Sequence, residues 1–149
     1  MKDPSAFIIG AWGCLTRTER TVVGRIEASL KSAGLPSLHW YDVLLELKRA
    51  PGGRLTPREI EAAVLFEQYN LSRLLDRMER EELVRRIPYP RDKRRQIVEI
   101  TDEGKALQER MWRVYGEAIN SAIGEKLTDR EAGQLSALLL KLIHEGPTV

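Results

Sequence analysis

The sequence predicts a mainly α-helical fold, α+β in the strict sense, with one small β-hairpin. Three patterns predict it. Apolar residues recur at three- and four-residue steps across both ends of the chain, the period of amphipathic helices. Two capping boxes, Thr56-Pro57-Arg58-Glu59 and Thr128-Asp129-Arg130-Glu131, mark helix starts. One short stretch instead alternates with the period of a strand, Val98 and Ile100 against Glu99. The 149 residues, 42% hydrophobic and 31% charged, fit one compact globular domain with a real core.

Residues 5–33 read as one long helix. Phe7, Ala11, Leu15, Thr18, Val22, Ile26, Leu30 and Ala33 form a row along it, and Gly34-Leu35-Pro36 ends it. Ser37 is placed to cap a second helix, with Leu38, Tyr41, Leu44 and Leu45 on one face. Pro51-Gly52-Gly53 breaks the chain again. Pro57, at a first helical position, opens a short helix over 57–63. A helix over 67–82 follows, with Leu71, Leu74, Leu75 and Met78 inward and Gln68, Asn70, Ser72, Arg73, Arg77 and Arg80 outward. Residues 83–89 and 96–100 read as the two strands of the hairpin. Thr101-Asp102-Glu103-Gly104 starts a long helix to about 125, with its acidic residues at the positive end of the helix dipole. Leu107, Met111, Val114, Ala118 and Ala122 form one row on it, with Tyr115, Ile119 and Ile123 beside them. The last helix carries Leu135, Leu138, Leu139, Leu142 and Ile143, and Gly146-Pro147 ends it.

This order divides a single structural domain into an N-terminal helix (1–35), a compact central unit (36–100) and C-terminal helices (101–149). The terminal helices have wide apolar faces and few elements nearby to cover them. Covering those faces with a second copy gives a symmetric homodimer.

Charge singles out one place. Residues 82–95 hold six basic side chains (Arg85, Arg86, Arg91, Lys93, Arg94, Arg95) against Glu82 and Asp92, so the segment carries 6 − 2 = +4 while the whole chain carries +2. The excess sits at the hairpin, as a folded support for a polyanion contact requires. With the two short helices before it, the hairpin completes a winged helix-turn-helix. In such units the second helix enters the DNA major groove, where Gln68, Asn70, Ser72 and Arg73 offer amide, hydroxyl and guanidinium groups. Arg77 suits a phosphate contact or an internal pairing with acidic residues nearby. Arg91, Asp92, Lys93, Arg94 and Arg95 form the tip, with Arg94 suited to a narrow minor groove and Asp92 placed to organise it.

These residues carry a resemblance. Residues 55–104 are similar to the DNA-binding core of the MarR family of bacterial transcription regulators, through Leu55-Thr56-Pro57-Arg58-Glu59-Ile60, Leu71-Ser72-Arg73-Leu74-Leu75-Asp76-Arg77 and Leu83-Val84-Arg85-Arg86. The wing block Asp92-Lys93-Arg94 through Ile100-Thr101-Asp102-Glu103-Gly104 matches the family pattern D-x-R, strand, L-T-x-x-G, with isoleucine for the leucine. Glu82 departs from the pattern, which has glycine there, and its presence predicts a different helix ending. The resemblance implies a cytoplasmic homodimer that binds a pseudo-palindromic operator in double-stranded DNA. It further implies a repressor released by a small molecule that changes the spacing of the two reading heads.

In similar regulators, small aromatic or phenolic ligands enter between the dimer helices and the reading head. The matching positions here are Trp12, Arg17, His39, Trp40, Tyr41, Met111, Trp112 and Tyr115. A branch of the family senses organic peroxides through a cysteine in its first helix. Cys14 and Tyr41 lie in roughly matching regions, but the residues around Cys14 and its spacing to Tyr41 do not match that branch.

Other classes find less support. One cysteine and two histidines are too few for the usual zinc sets, no Gly-rich phosphate loop occurs, and nothing joins Cys14 to His39 or His144 as nucleophile and base, so no enzyme, metal or cofactor is expected. No apolar run approaches the roughly 20 residues that cross a bilayer, and the N-terminus does not read as a signal peptide. The single cysteine suits a reducing compartment. The rival to DNA binding is a winged helix used for protein contacts alone.

Overall fold

A computed structural model describes residues 2–144. Among these residues, six helices and a three-stranded antiparallel sheet follow one another: α1 (Ala6–Ser32), α2 (Leu38–Arg49), a 3-10 turn (Pro51–Gly53), β1 (Arg54–Leu55), α3 (Pro57–Ala63), α4 (Leu71–Arg80), β2 (Val84–Tyr89), β3 (Asp92–Ile100), α5 (Asp102–Ile119), a π-helical turn (Asn120–Gly124) and α6 (Asp129–Ile143). The mainly helical class with its β wing is borne out. The expected stop at Gly146-Pro147 lies outside the described residues. The chain forms two compact units, one of residues up to 26 with those from 115 on, the other of residues 27–114.

The second unit holds the core of the central elements. Leu30, Val43, Leu44, Leu47, Ile60, Leu75, Met78, Val84, Val98 and Met111 are all buried. Helix α2 begins at Ser37 as expected, but the Ser37 side chain does not cap it. The Glu27 carboxylate accepts the Leu38 N–H at 2.7 Å instead, so α1 supplies the cap. Gly52 and Gly53 both take positive φ (67° and 69°), which turns the chain into β1. Strand β1 has only two residues, pairs Arg54 with Glu99 and Leu55 with Val98, and puts β3 at the centre of the sheet.

Two expected boundaries move. Helix α4 starts at Leu71 rather than 67, because the Asn70 side chain accepts the Arg73 N–H at 3.0 Å and ends the preceding turn. Strand β3 starts at Asp92 rather than 96, so the basic tip is part of the strand. Its register jumps from Pro88↔Gln96 to Tyr89↔Asp92.

Glu82 does not change how α4 ends. It takes the left-handed conformation itself (φ 61°). Leu83 N–H reaches Met78 C=O at 2.9 Å and Glu82 N–H reaches Glu79 C=O at 3.0 Å, the two bonds of a Schellman ending. Thr101 Oγ1 donates to the Glu82 carbonyl at 2.6 Å and holds it there. A glutamate in this region is strained by about 1–2 kcal/mol, less the extra chain entropy a glycine would lose. Glu82→Gly is therefore expected to stabilise the fold by about 1 kcal/mol, which is about 3 °C in Tm for a chain of this size. A lower Tm in thermal unfolding followed by circular dichroism would show that the cap carries no such strain.

In the first unit the apolar rows face outward. Phe7, Ile8, Ile9, Trp12 and Leu15 on α1, and Leu135, Leu138, Leu139, Leu140, Leu142 and Ile143 on α6, are exposed, Phe7 by 90% and Ile143 by 74%. A single chain rarely leaves so much large apolar surface in water. Among the described residues no helix is long and apolar enough to cross a membrane.

Candidate nucleic-acid interface

The helix-turn-helix is built on α2. Thr56 caps α3 reciprocally: its Oγ1 accepts the Glu59 N–H at 3.2 Å, and the Glu59 carboxylate accepts the Thr56 N–H at 3.0 Å. Those bonds to Thr56, the backbone one first, hold the Glu59 carboxyl below its usual pKa. The turn from α3 to α4 is tied down by the buried Asp42 on α2, whose carboxylate accepts the Phe66 N–H at 2.6 Å. The His39 ring meets the Phe66 ring edge-on at 6.0 Å.

Gln68 lies in this turn rather than on α4, half-buried, with its amide donating to the His39 carbonyl at 3.4 Å. Its expected place on the outward face of the helix is corrected: it braces the turn from inside. Asn70 is exposed, but one side of its amide is committed to the cap. Ser72, Arg73 and Arg77 are exposed on α4, and the Arg77 guanidinium lies 5.4 Å from the centroid of the Trp40 ring. The internal partner of Arg77 is thus an aromatic ring rather than the acidic residue expected.

Arg86 joins the recognition helix to the wing. Its guanidinium binds the Asp76 carboxylate at 2.5 Å and the Ser72 carbonyl at 3.2 Å, while its N–H donates to the Glu79 carboxylate at 3.1 Å. Half-buried and so engaged, it fixes the wing against α4. On the neighbouring strand, Arg54 pairs with Glu99 at 2.6 Å and Arg85 lies 3.8 Å from the same carboxylate.

At the wing tip, Arg91, Asp92, Arg94 and Arg95 are exposed; the Lys93 side chain is outside the described part. Asp92 Oδ1 accepts the Arg94 N–H at 3.0 Å, so it holds the arginine's backbone rather than its guanidinium. Arg95 lies 5.9 Å from the Tyr89 ring centroid. The exposed faces of α4 and the wing therefore carry arginines on a braced frame.

Tyr69 escaped the sequence pattern. It is 93% exposed immediately before the α4 cap, and Leu65 earlier in the same connection is 77% exposed. An aromatic residue next to an asparagine cap, off the apolar row, was the available signal.

The effector candidates divide between the units. Trp12 and Arg17 are exposed and Tyr115 half-buried in the first; Cys14 is exposed there as a free thiol. In the second, Tyr41 is buried, its hydroxyl accepts from the Gln108 amide at 3.2 Å, and its ring stacks on half-exposed Trp112 at 6.3 Å. Burial raises the Tyr41 pKa above its usual value. Met111 is fully buried, and Trp40 and His39 pack against Arg77 and Phe66. Grooves of about 580, 650 and 410 Å³ in this unit are lined by other residues. Among the described residues no group of three or more His, Cys, Asp or Glu side chains is placed to hold a metal ion.

Residues 33–95 match the MarR family model. The chain is 30% identical over 103 residues to the multiple antibiotic resistance protein MarR of Salmonella typhimurium, covering 69% of this chain and 70% of that protein. The Escherichia coli protein of the same name is 32% identical over 89 residues, 60% of this chain and 62% of that one. The fold of this chain is similar to that of Sco3205, a MarR family transcriptional regulator from Streptomyces coelicolor solved in complex with DNA (TM-score 0.86, 22% identity, 95% and 89% of the two chains). It is also similar to a mutant MarR from E. coli complexed with operator DNA (TM-score 0.78, 24% identity, 96% and 100%). A third is the organohalide-sensing regulator RdhR-CbdbA1625 in its 2,4-dichlorophenol bound form (TM-score 0.77, 20% identity, 95% and 85%).

Proposed function

The chain belongs to the MarR family of transcription regulators, and from that premise we propose that it is a sequence-specific, DNA-binding repressor released by a small aromatic ligand. The observation that carries the reading is the braced frame. Arg86 ties the base of the wing to α4, so the exposed Ser72 and Arg73 of the helix and Arg94 of the wing are carried on one support. The exposed apolar faces of α1 and α6 support a homodimer, which brings two reading heads to a pseudo-palindromic operator. Ser72 and Arg73 read bases, Asn70 sets the helix start, and Arg91, Arg94 and Arg95 contact the backbone or minor groove. Gln68 is a lesser contact, because one N–H of its amide is engaged by the His39 carbonyl at 3.4 Å. The site of action is the cytoplasm, and no catalytic step is assigned.

Release follows from geometry. Two heads must match sites about 34–36 Å apart per helical turn, so a small change in head spacing breaks many contacts together. The residues proposed to meet the ligand are Trp12, Arg17 and Tyr115 in the first unit and Tyr41 and Trp112 in the second, where the fully buried Met111 serves as packing.

The test is a gel-shift on the DNA immediately upstream of the protein's own gene, with and without a panel of phenolic acids and peroxide. A shifted band that a phenolic acid removes is the expected result. Release by peroxide alone, abolished by Cys14→Ser, moves the effector assignment to the thiol. No shift of any upstream DNA at low salt overturns the reading.

A further inference from the structure

A groove of about 650 Å³ runs between α3 and the wing, with Thr56 and Arg58 on one wall and Tyr89, Arg94, Arg95 and Gln96 on the other. Its charge is lopsided. Arg58, Arg94 and Arg95 are all exposed, and among the described residues no carboxylate lies within ion-pair distance of them. Glu59 also lines the groove, but its carboxylate is turned onto the Thr56 N–H at 3.0 Å in the capping box. The N-terminal end of α3 is therefore satisfied by its own side chains, and the groove sets three guanidiniums against the single carboxylate of Glu59, an excess of positive charge. Tyr89 limits the freedom of one of them, with its ring centroid 5.9 Å from Arg95. The groove is open and much larger than an isolated oxyanion needs, which suits a continuous strand passing through.

We propose that this groove seats a backbone phosphodiester of double-stranded DNA, gripped by Arg58 from α3 and by Arg94 and Arg95 from the wing. Arg58 thereby becomes a positioning contact on an element that otherwise only supports the recognition helix. A guanidinium fork matches a phosphate bidentately, and such contacts fix register without reading sequence. The assignment rests on the reading of the chain as a DNA-binding protein and adds a second anchoring point flanking the wing.

The experiment compares wild type, Arg58→Gln and Arg58→Lys for binding to the upstream DNA and to a random duplex of equal length, each across a salt series. Arg58→Gln should weaken both duplexes by a similar factor, about fivefold to tenfold, and lower the log–log salt slope by about one unit per protomer. Arg58→Lys should keep the slope and recover only part of the affinity, since an ammonium lacks the planar fork. Unchanged affinity and slope in Arg58→Gln, with wild type binding normally, overturns the groove while leaving DNA binding intact. A loss confined to the upstream sequence also overturns it, because that pattern belongs to base reading. Wild type binding neither duplex defeats the parent reading instead. Circular dichroism melting checks that the exposed substitution leaves the fold in place.

Discussion

Gly104→Ala is expected to destabilise the chain by about 3 kcal/mol, a fall of about 9 °C in Tm. The sign is the unusual part. Alanine inside a helix normally gains about 1 kcal/mol over glycine. At Gly104 a β-carbon would collide with the Leu83 carbonyl oxygen and come within 2.8 Å of Ile100 Cγ1. The first is backbone and cannot step aside as a flexible side chain can. It is also engaged, accepting the Thr101 N–H at 3.0 Å. Thr101 Oγ1 in turn accepts the Gly104 N–H at 3.0 Å and donates to the Glu82 carbonyl. The first turn of α5, the end of α4 and the start of β2 thus meet at one point with no space left. Thermal unfolding by circular dichroism checks this, and a Tm equal to or above wild type would refute the close approach.

Arg94→Ala is expected to weaken binding to the operator on the order of 100-fold, counting about tenfold for each of two wings in a dimer. The log–log salt slope should fall by about two units for the dimer. The expectation rests on preorganisation: Asp92 already holds the Arg94 backbone through a 3.0 Å bond, so little order is lost when the side chain contacts DNA. Asp92→Ala then separates organiser from contact. It should lose affinity a few-fold, about 1 kcal/mol, while keeping the slope, because it removes a backbone bond and no positive charge. Fluorescence anisotropy on labelled duplex measures both. If Arg94→Ala binds like wild type, the winged unit serves protein contacts instead.

What the sequence made legible was what repeats or caps. The long apolar rows of α1, α5 and α6, the capping boxes of α3 and α6, and the basic wing all follow local rules with a period or a fixed spacing. Strand β1 did not, since two residues carry no period, and only its pairing with β3 makes it a strand. The start of α4 was misplaced because Leu71, Leu74, Leu75 and Met78 fix a helical row without saying where it begins. Asn70 carried that information as a cap. Gln68 follows from the same cap: outside the helix, its amide N–H turns to the His39 carbonyl.

The long-range ties were invisible for a different cause. Arg86 with Asp76, Asp42 with the Phe66 backbone, and Glu27 with the start of α2 join residues 10, 24 and 11 positions apart, and nothing local marks the partner. Glu82 taught the reverse lesson. The ending of α4 is set by the Met78 and Glu79 carbonyls and by Thr101, and the chain takes the left-handed turn without a glycine.

The central claim, that this chain is a DNA-reading dimer with arginine-rich contacts, is tested most directly by the salt dependence of its affinity for the DNA upstream of its own gene. With roughly four phosphates neutralised per protomer, log K against log salt should fall with a slope of about −7, so affinity drops about 10⁴-fold between 50 and 200 mM salt. A slope shallower than about −2, or no binding at 50 mM, would contradict the account.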